Sequence, residues 1–313
     1  MKEISVIIVS WNAREFLSDC LNSIRKSGGE SVREVIVVDN GSSDASAEMV
    51  SEQFPEVTLE RSKENLGFAR GNNLGIQRAT GEYLALINSD VVLHPGSLDQ
   101  LASCLSRRHE VGLVAPRVLG ADGRLQPTCR RLPSVWNITC EILALDRLPF
   151  PAFSGRCMRS IEHEQAGEQE VEVLSGCFWM ARRSAVEKIG GLDERFFFYA
   201  EDVDWCKRFR EGGWKVVYVP QAIATHFGGG SSANAPLRYS IELLRANLTY
   251  WKKHHGALGQ AVFFFLSIVH HAARFLIRGV GVLFRGDPIS QESAYKCKRS
   301  KACLRWLLTG KGI

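Results

Sequence analysis

The feature that most constrains this chain is a series of short segments, apolar from end to end, that alternate with amphipathic helical patterns. Ile4–Val9 is the first apolar run, and the helix-compatible stretch Ala13–Lys26 follows it. Glu34–Val38 and Val57–Glu60 come next, then a helical Phe68–Ala79, the apolar Tyr83–Ile87, and a helix through Arg107 with Pro95 in its first turn. A strand with water on one face alternates in polarity, whereas one that does not alternate is covered on both faces. Such strands, separated by helices, predict an α/β fold with a mostly parallel central sheet between helical layers. Ligands of these sheets bind beyond the carboxyl ends of the strands. Here those ends read Ser10-Trp11-Asn12, Asp39-Asn40 and Asn88-Ser89-Asp90, with Ser42, Ser43 or Asp44 available to cap the helix after the second strand.

The pattern weakens over residues 116–170, where Pro116, Pro127, Pro133, Pro149 and Pro151 and an acidic stretch at Glu162–Glu172 predict loops and short helices. Order resumes with a strand at Val173–Ala181, a helix ending at Gly190-Gly191, a helix at Glu201–Glu211 and a strand at Lys215–Val219. His226 to Ser232 reads as a glycine-rich loop, and everything beyond Pro236 as helix. Apolar residues at 45% and charged residues at 23% exclude a disordered, collagen-like or coiled-coil chain. Nine scattered cysteines without a C-x-x-C pair exclude a zinc knuckle and predict buried free thiols in a reducing cytoplasm. Met1 leads into a strand pattern with no secretory apolar region, which also predicts a cytoplasmic protein.

Chemistry concentrates in a few places. Neither G-x-G-x-x-G nor a Walker loop occurs, so a glycine phosphate cradle is excluded. Asp39, after a buried strand, has the chemistry to accept from a base imide or a ribose hydroxyl, or to serve as a helix cap. Asn88 and Asp90 suit a hard cation such as Mg²⁺ or Mn²⁺, which takes few protein oxygens and completes its shell with substrate phosphates. On a helix, Glu201 and Asp204 share a face while Asp202 points about 100° away. Three acids at a helix start complement its dipole, and one of them is also a candidate base.

Taken in order, these segments resemble family 2 glycosyltransferases, which use nucleotide-sugar donors on a GT-A fold. Ile4–Asn12 is similar to the family's opening strand, and Val37-Val38-Asp39-Asn40-Gly41-Ser42-Ser43-Asp44 to its second motif, whose first Asp contacts the nucleobase. Asn65-Leu66-Gly67-Phe68-Ala69-Arg70-Gly71-Asn72-Asn73 resembles the block beside the nucleotide, and Asn88-Ser89-Asp90 the D-x-D metal motif with Asn in first place. Phe197–Cys206 resembles the acceptor-side ED motif. The resemblance spans residues 4 to 232. It implies that Ser10, Asn12, Asp39, Asn65, Arg70, Asn72, Asn88 and Ser89 line the donor. It further implies that Asp90 and His226 hold a divalent cation, that Asp202 is the base and Glu201 the acceptor contact, and that Asp204 is structural. The stretches Gly123–Pro127 and Arg130–Pro133 are most similar to dTDP-rhamnosyltransferase-like members. The implied activity is inverting transfer of a sugar, rhamnose on that finer likeness, to a glycan or lipid-linked acceptor in cell-surface polysaccharide synthesis. The alternatives are a sugar-phosphate nucleotidyltransferase, whose glycine-rich Arg/Lys loop residues 4–16 lack, and a catalytically inactive carbohydrate-binding protein.

The domain reading is a GT-A-like body over 1–235, with a nucleotide-sugar half at about 1–115 and an acceptor half at about 116–235. A helical basic, amphipathic extension occupies 236–313. From Trp251 onward there are 11 Lys/Arg and 2 Asp/Glu, a charge of +9, so the remaining chain carries −4 of the net +5. Gly256–Ala273 is an uncharged run of 18 residues, the short limit for a membrane span, and two histidines interrupt it. Ser267, His270 or His271, Arg274, Arg278 and Arg285 recur at helical spacing, with Phe263, Phe264, Phe265, Leu266, Phe275 and Leu276 largely on the other side. That pattern predicts a helix lying in an anionic membrane surface on the inner face of the cell membrane, with Lys296, Lys298, Arg299 and Lys301 adding attraction, and no nucleic-acid partner. The competing readings of this extension are a domain-packing helix and a homo-oligomer contact.

Overall fold

The computed structural model describes residues 3–27, 31–143, 145, 148, 150, 167–228, 236–285 and 291–311. Ile4–Ser10 forms β1, buried along almost its whole length, and leads into α1 (Arg14–Ser27). There follow β2 (Val32–Asp39), α2 (Ser46–Gln53), β3 (Thr58–Arg61), α3 (Phe68–Arg78), β4 (Tyr83–Asn88), β5 (Val91–Leu93) and α4 (Ser97–Arg107). The middle of the chain supplies β6 (Val111–Leu119), β7 (Cys129–Arg130), α5 (Val135–Ile142), β8 (Gln169–Glu170), β9 (Val173–Leu174), β10 (Phe178–Arg182) and α6 (Arg183–Ile189). The last elements are α7 (Glu201–Glu211), β11 (Lys215–His226), α8 (Pro236–Arg285) and α9 (Gln291–Thr309).

The main sheet has the order β3-β2-β1-β4-β10-β6-β11-β5, with β8 paired to β11. β1 to β4 are mutually parallel where they pair, and β6 pairs parallel with β11. β10 runs antiparallel between β4 and β6, so β6 and β11 point the same way as β1 and β4. The carboxyl ends of β1, β2, β4, β6 and β11 therefore open along one edge of the sheet. Ile4, Ile8, Leu84, Leu86, Val114, Phe178 and Met180 are fully buried in this sheet. Each such side chain stabilises the fold by about 1.5–3 kcal/mol.

Several elements differ from the sequence reading. The strand expected over Val173–Ala181 is broken at Ser175-Gly176-Cys177, because β9 pairs with β7 in a separate two-stranded sheet while β10 joins the main one. β11 continues past Val219 through a register shift, which makes His226 its last residue rather than a loop residue. The glycines after Gly228 lie outside the described residues. Ala45, in the left-handed region, precedes α2 without a side-chain cap; Asp44 instead accepts from the Ser46 amide at 3.1 Å. The described cysteines are free, and all but Cys297 are buried; Cys157 lies outside the described residues. Burial pushes the thiols of Cys104, Cys177 and Cys206 up to about 12, so they are inert at neutral pH.

The chain divides into two compact units, Met1–Leu132 with Ser160–Ser231, and Pro133–Arg159 with Ser232–Ile313. α5, placed by the sequence reading in the acceptor half, thus belongs with the C-terminal helices. In that second unit α8 is interrupted at Gly256, where φ is 68°. The two arms fold back on each other: Trp251 and Phe263 stack at 5.7 Å, and Gln260 donates to the Leu248 carbonyl at 3.3 Å. Leu244, Cys303 and Leu307, with Phe264, Ile268 and Trp306 against them, form the core of these helices.

The second arm divides the residues expected on one apolar side: Phe263 is buried and Phe264 packs in the helical core, whereas Phe265 and Leu276 are exposed. Ser267 is 4% exposed and the Nδ1 of His271 is buried, so the polar stripe turns inward, while Leu258, Phe265, Leu276 and Ile277 are 78%, 64%, 62% and 70% exposed. Periodicity identifies the residues that share a face but not the face that meets solvent. The side chains of Arg278 and Arg285 lie outside the described residues.

Candidate active site

β1 and β2 end side by side, Ser10 opposite Asp39, and β4 pairs with β1 on its other flank with Asn88 opposite Val9. Asp39 is 5% exposed; its Oδ2 accepts from the Ser42 amide at 3.3 Å, and its Oδ1 is buried without a partner. Ser10 Oγ and Asn88 Oδ1 are also buried and unpartnered. Three strand ends thus leave three polar atoms unsatisfied on one edge. Buried polar groups in native proteins nearly always have partners, so this clustering marks a place where a ligand supplies them.

The other donor-side candidates have mixed positions. Asn12, at φ 49°, accepts from the Ser43 amide at 2.8 Å and ties the end of β1 to the loop before α2. Asn65 Oδ1 accepts from Asn40 at 3.0 Å and from the Gly67 amide at 2.9 Å, which shapes the loop into α3. Asn72 is 2% exposed and donates to the Phe68 carbonyl within its own helix. Arg70 is exposed and Ser89 half-buried. Asn40 was not foreseen as an organiser: its side chain also accepts from the Leu66 amide at 2.7 Å, so it joins the second motif to the third.

The antiparallel pairing of β5 with β11 brings His226 beside Val91, and the His226 Nε2 lies 3.3 Å from Asp90 Oδ1. The Phe227 amide donates to the Asp90 carbonyl at 3.0 Å and pins the two strand ends together. On the far side of the ring, His226 Nδ1 lies 2.8 Å from Gln126 Oε1. The ring thus faces Gln126 with one nitrogen and Asp90 with the other, and an Nδ1–H donated to Gln126 would leave Nε2 free to ligate an ion. Two atoms each about 2.1 Å from one ion lie roughly 3 Å apart, so this pair fits a shared cation. Among the described residues no cluster of three or more His, Cys, Asp or Glu could hold a metal. A site with two protein ligands, and Asn88 Oδ1 unsatisfied on the same edge, fits an ion whose remaining ligands are phosphate and water. Gln126 was missed as a site residue because nothing local marks a contact 100 positions away.

In the segment resembling the ED motif, Tyr199 and Ala200 both have positive φ, 74° and 63°, immediately before α7. Consecutive left-handed non-glycine residues are strained, and such strain persists only where surrounding structure imposes it. Here the preceding segment is anchored on the donor-side loop: the Phe68 amide donates to the Phe197 carbonyl at 2.7 Å. A Cβ on Gly67, itself at φ 81°, would lie 2.6 Å from that carbonyl oxygen. α7 then begins with Glu201 and Asp202, 6% and 9% exposed, and a fully buried Asp204 that pairs with Arg208 at 2.8 Å. Asp202 Oδ1 accepts from the Val203 amide at 2.8 Å, and its Oδ2 pairs with the Arg130 guanidinium from β7. Glu201 Oε2 is buried without a partner. Burial, and then the neighbouring Asp202 charge, push the Glu201 carboxyl up to about 8. Trp179 and Trp205 pack together at 5.3 Å in the core beneath this helix.

The sequence model of Glycosyl transferase family 2 matches residues 5–190, more than half of the chain. The chain belongs to glycosyl transferase family 2. An N-acetylglucosaminyl-diphospho-decaprenol L-rhamnosyltransferase of Mycobacterium tuberculosis is 32% identical over 213 residues, 64% of this chain and 69% of that one. The amylovoran biosynthesis glycosyltransferase AmsB of Erwinia amylovora is 28% identical over 264 residues, 79% and 78% of the two chains. The crystal structure of GalNAc-T7 with UDP, GalNAc and Mn²⁺ matches with a TM-score of 0.57 at 16% identity, over 72% of this chain and 43% of that one. That likeness is one of fold, and the fold is GT-A. The family 2 match stops at residue 190, ahead of α7 and His226, so those parts of the site stand on motif and geometry.

Proposed function

We propose that this family 2 glycosyltransferase transfers rhamnose, with inversion, from a nucleoside diphosphate donor to a lipid-linked glycan acceptor in cell-surface polysaccharide synthesis. The observation that carries the reading is the row of unsatisfied buried atoms, Ser10 Oγ, Asp39 Oδ1 and Asn88 Oδ1, at the ends of parallel strands. The rhamnosyl donor and the diphospholipid acceptor are supported by the name of the mycobacterial relative. Asp39 accepts from the base or ribose, while Asp90 and His226 hold Mg²⁺ or Mn²⁺ with the donor diphosphate. A cation bound there supplies positive charge that neutralises the leaving nucleoside diphosphate. Asp202 takes the proton of the acceptor hydroxyl as its oxygen bonds to the anomeric carbon. The diphosphate oxygen leaves with the bonding pair, and Glu201 orients the acceptor. A panel of nucleotide sugars tests this by thermal shift with Mg²⁺ or Mn²⁺ and by transfer to a polyprenyl diphosphate sugar. A ligand at 100 times its Kd stabilises the native state by about 2.7 kcal/mol. Stabilisation by dTDP-rhamnose with matching transfer supports the proposal; activity confined to another sugar overturns the rhamnose assignment, and no response to any nucleotide sugar overturns the whole reading.

The second unit carries a proposal of its own, peripheral attachment to the cytoplasmic face of an anionic membrane. Among the described residues one helix, Pro236–Ile277, is long and apolar enough to cross a membrane, but it is broken at Gly256. The outward apolar row Leu258, Phe265, Leu276 and Ile277 gives it a surface to lay in the acyl boundary. Lysines of α9 add about 1 kcal/mol each near such a surface. Co-sedimentation with phosphatidylserine vesicles should be lost in the double variant Phe265→Asp, Leu276→Asp and on truncation at Tyr250. Unchanged sedimentation of the variants, or pelleting with neutral vesicles alone, refutes it. Resistance to alkaline carbonate indicates a true span.

A further inference from the structure

The Glu201–Asp202 pair is held by a residue that no motif of the donor or acceptor side includes. Arg130 lies on β7, on the two-stranded sheet beside α7, and its guanidinium pairs with Asp202 Oδ2. Both partners are largely buried, with side-chain exposures of 28% and 13%. The Val203 amide takes the other Asp202 oxygen, so the carboxylate is gripped from two sides. Its neighbour has a backbone amide alone for support, and Glu201 Oε2 has no partner. One cation thus faces two adjacent buried carboxyl groups and contacts only one of them.

We propose that Arg130 is a positioning residue that keeps Asp202 as the ionised member of the pair and leaves the proton on Glu201. This deepens the proposed transfer reaction and rests on it. Two adjacent carboxylates in a dry site cannot both ionise readily, so the pair retains a proton that sits on the member lacking a counter-ion. The charged and titratable groups facing Glu201 are Asp202 and Asp204 on its own helix and Arg130 from β7. Cys206 also faces the guanidinium, and Cys177, ahead of β10, faces Asp202; both are neutral thiols. The division gives the site two tools: Asp202 accepts the proton of the attacking hydroxyl, and Glu201 donates a hydrogen bond to another acceptor oxygen. The Arg130–Asp202 contact also fixes the direction in which the base points, because Asp202 has no other side-chain partner among the described residues.

The test is the pH dependence of transfer by the full chain with donor and acceptor, comparing wild type with Arg130→Gln, Arg130→Met and Arg130→Lys. In the two uncharged variants the pair holds its protons more tightly, so the acid limb of kcat/KM should move up by about 1–3 pH units, with the rate recovering on the alkaline side. Arg130→Lys should restore the limb. A uniform loss of rate at every pH with an unmoved limb overturns the proposal and makes Arg130 structural; a rise in acceptor KM alone overturns it and makes Arg130 an acceptor contact. Carboxyl ¹³C titration of the wild type needs neither turnover nor a stable variant. One side-chain carboxyl should titrate near pH 8 and vanish in Glu201→Gln, and the absence of any carboxyl titrating above pH 7 overturns the proposal. Failure of the wild type to transfer any sugar, with that resonance present, refutes the functional reading and leaves the charge division standing.

Discussion

Asp202→Asn separates the chemistry of the site from its architecture. The amide keeps the side chain's size, and its oxygen still accepts from the Val203 amide. What it loses is the charge that meets Arg130 and the ability to take a proton. A positioned general base contributes about 10²–10⁴ in rate, so kcat should fall by that factor with donor binding unchanged. Stability should fall as well, because the Arg130 guanidinium keeps its charge and loses its counter-ion. Breaking a fully buried pair costs about 3–5 kcal/mol. Here the side chains are 28% and 13% exposed, so water screens part of the stranded charge and about 1–3 kcal/mol is expected. At roughly 2–4 °C per kcal/mol, Tm falls by several degrees. Single-turnover transfer with saturating donor gives the rate, calorimetric titration of the nucleoside diphosphate gives binding, and a thermal scan gives Tm. Near wild-type turnover refutes the assignment of the base, and lost rate together with lost donor binding means that the variant disturbed more than the base.

Asp90→Ala should abolish divalent-cation dependence and weaken donor binding, with His226→Ala acting more mildly; full wild-type activity in excess chelator would sink both expectations. Gly67→Ala places a Cβ 2.6 Å from the Phe197 carbonyl oxygen at a φ of 81°, and should lower stability by about 1–3 kcal/mol in urea unfolding. An unchanged urea midpoint would show that the Phe197 segment is not seated on this loop. Glu201 carries a carboxyl raised to about 8, so its contribution is fully present below the unfolded value and is lost as pH rises toward 8. Glu201→Gln should therefore gain stability over wild type between pH 5 and pH 8, by at most about 1.4 kcal/mol per pH unit; parallel pH profiles of the two proteins would contradict the raised carboxyl.

The first strands of the sheet were legible because their information is local. A buried parallel strand announces itself by continuous apolar residues, and its polar end falls on the ligand edge by topology alone, as with Ser10, Asp39 and Asn88. β6 was harder to see, because Pro116 in its middle argues against a strand. In the fold Pro116 lies past the β10 ladder, which pairs with β6 at Leu113 and Val114, and stays in register with Val219 of β11. Gln126 and Arg130 were invisible as partners, since their contacts with His226 and Asp202 span 100 and 72 positions. The helical arm after Gly256 was read as having one apolar side, whereas Phe263 and Phe264 turn inward and Phe265 and Leu276 outward. A glycine at φ 68° decides that, by folding the arm back where a straight helix would have continued.

Asp90 and His226 meet only because the last strand of the sheet returns to the short strand that follows Asp90. A chain emerging from the ribosome completes β1 to β4, and with them the nucleotide edge, well before His226 exists. The proposed cation site is therefore completed late, when His226 at the end of β11 reaches the long-finished Asp90, and closing so long a loop is among the slowest steps a fold of this kind takes. Cation binding should then report that the first unit is finished, lagging behind nucleotide binding in any refolding or synthesis time course. An intermediate with its early strands formed and β11 still loose would bind a nucleotide without its cation and could not commit a sugar to transfer.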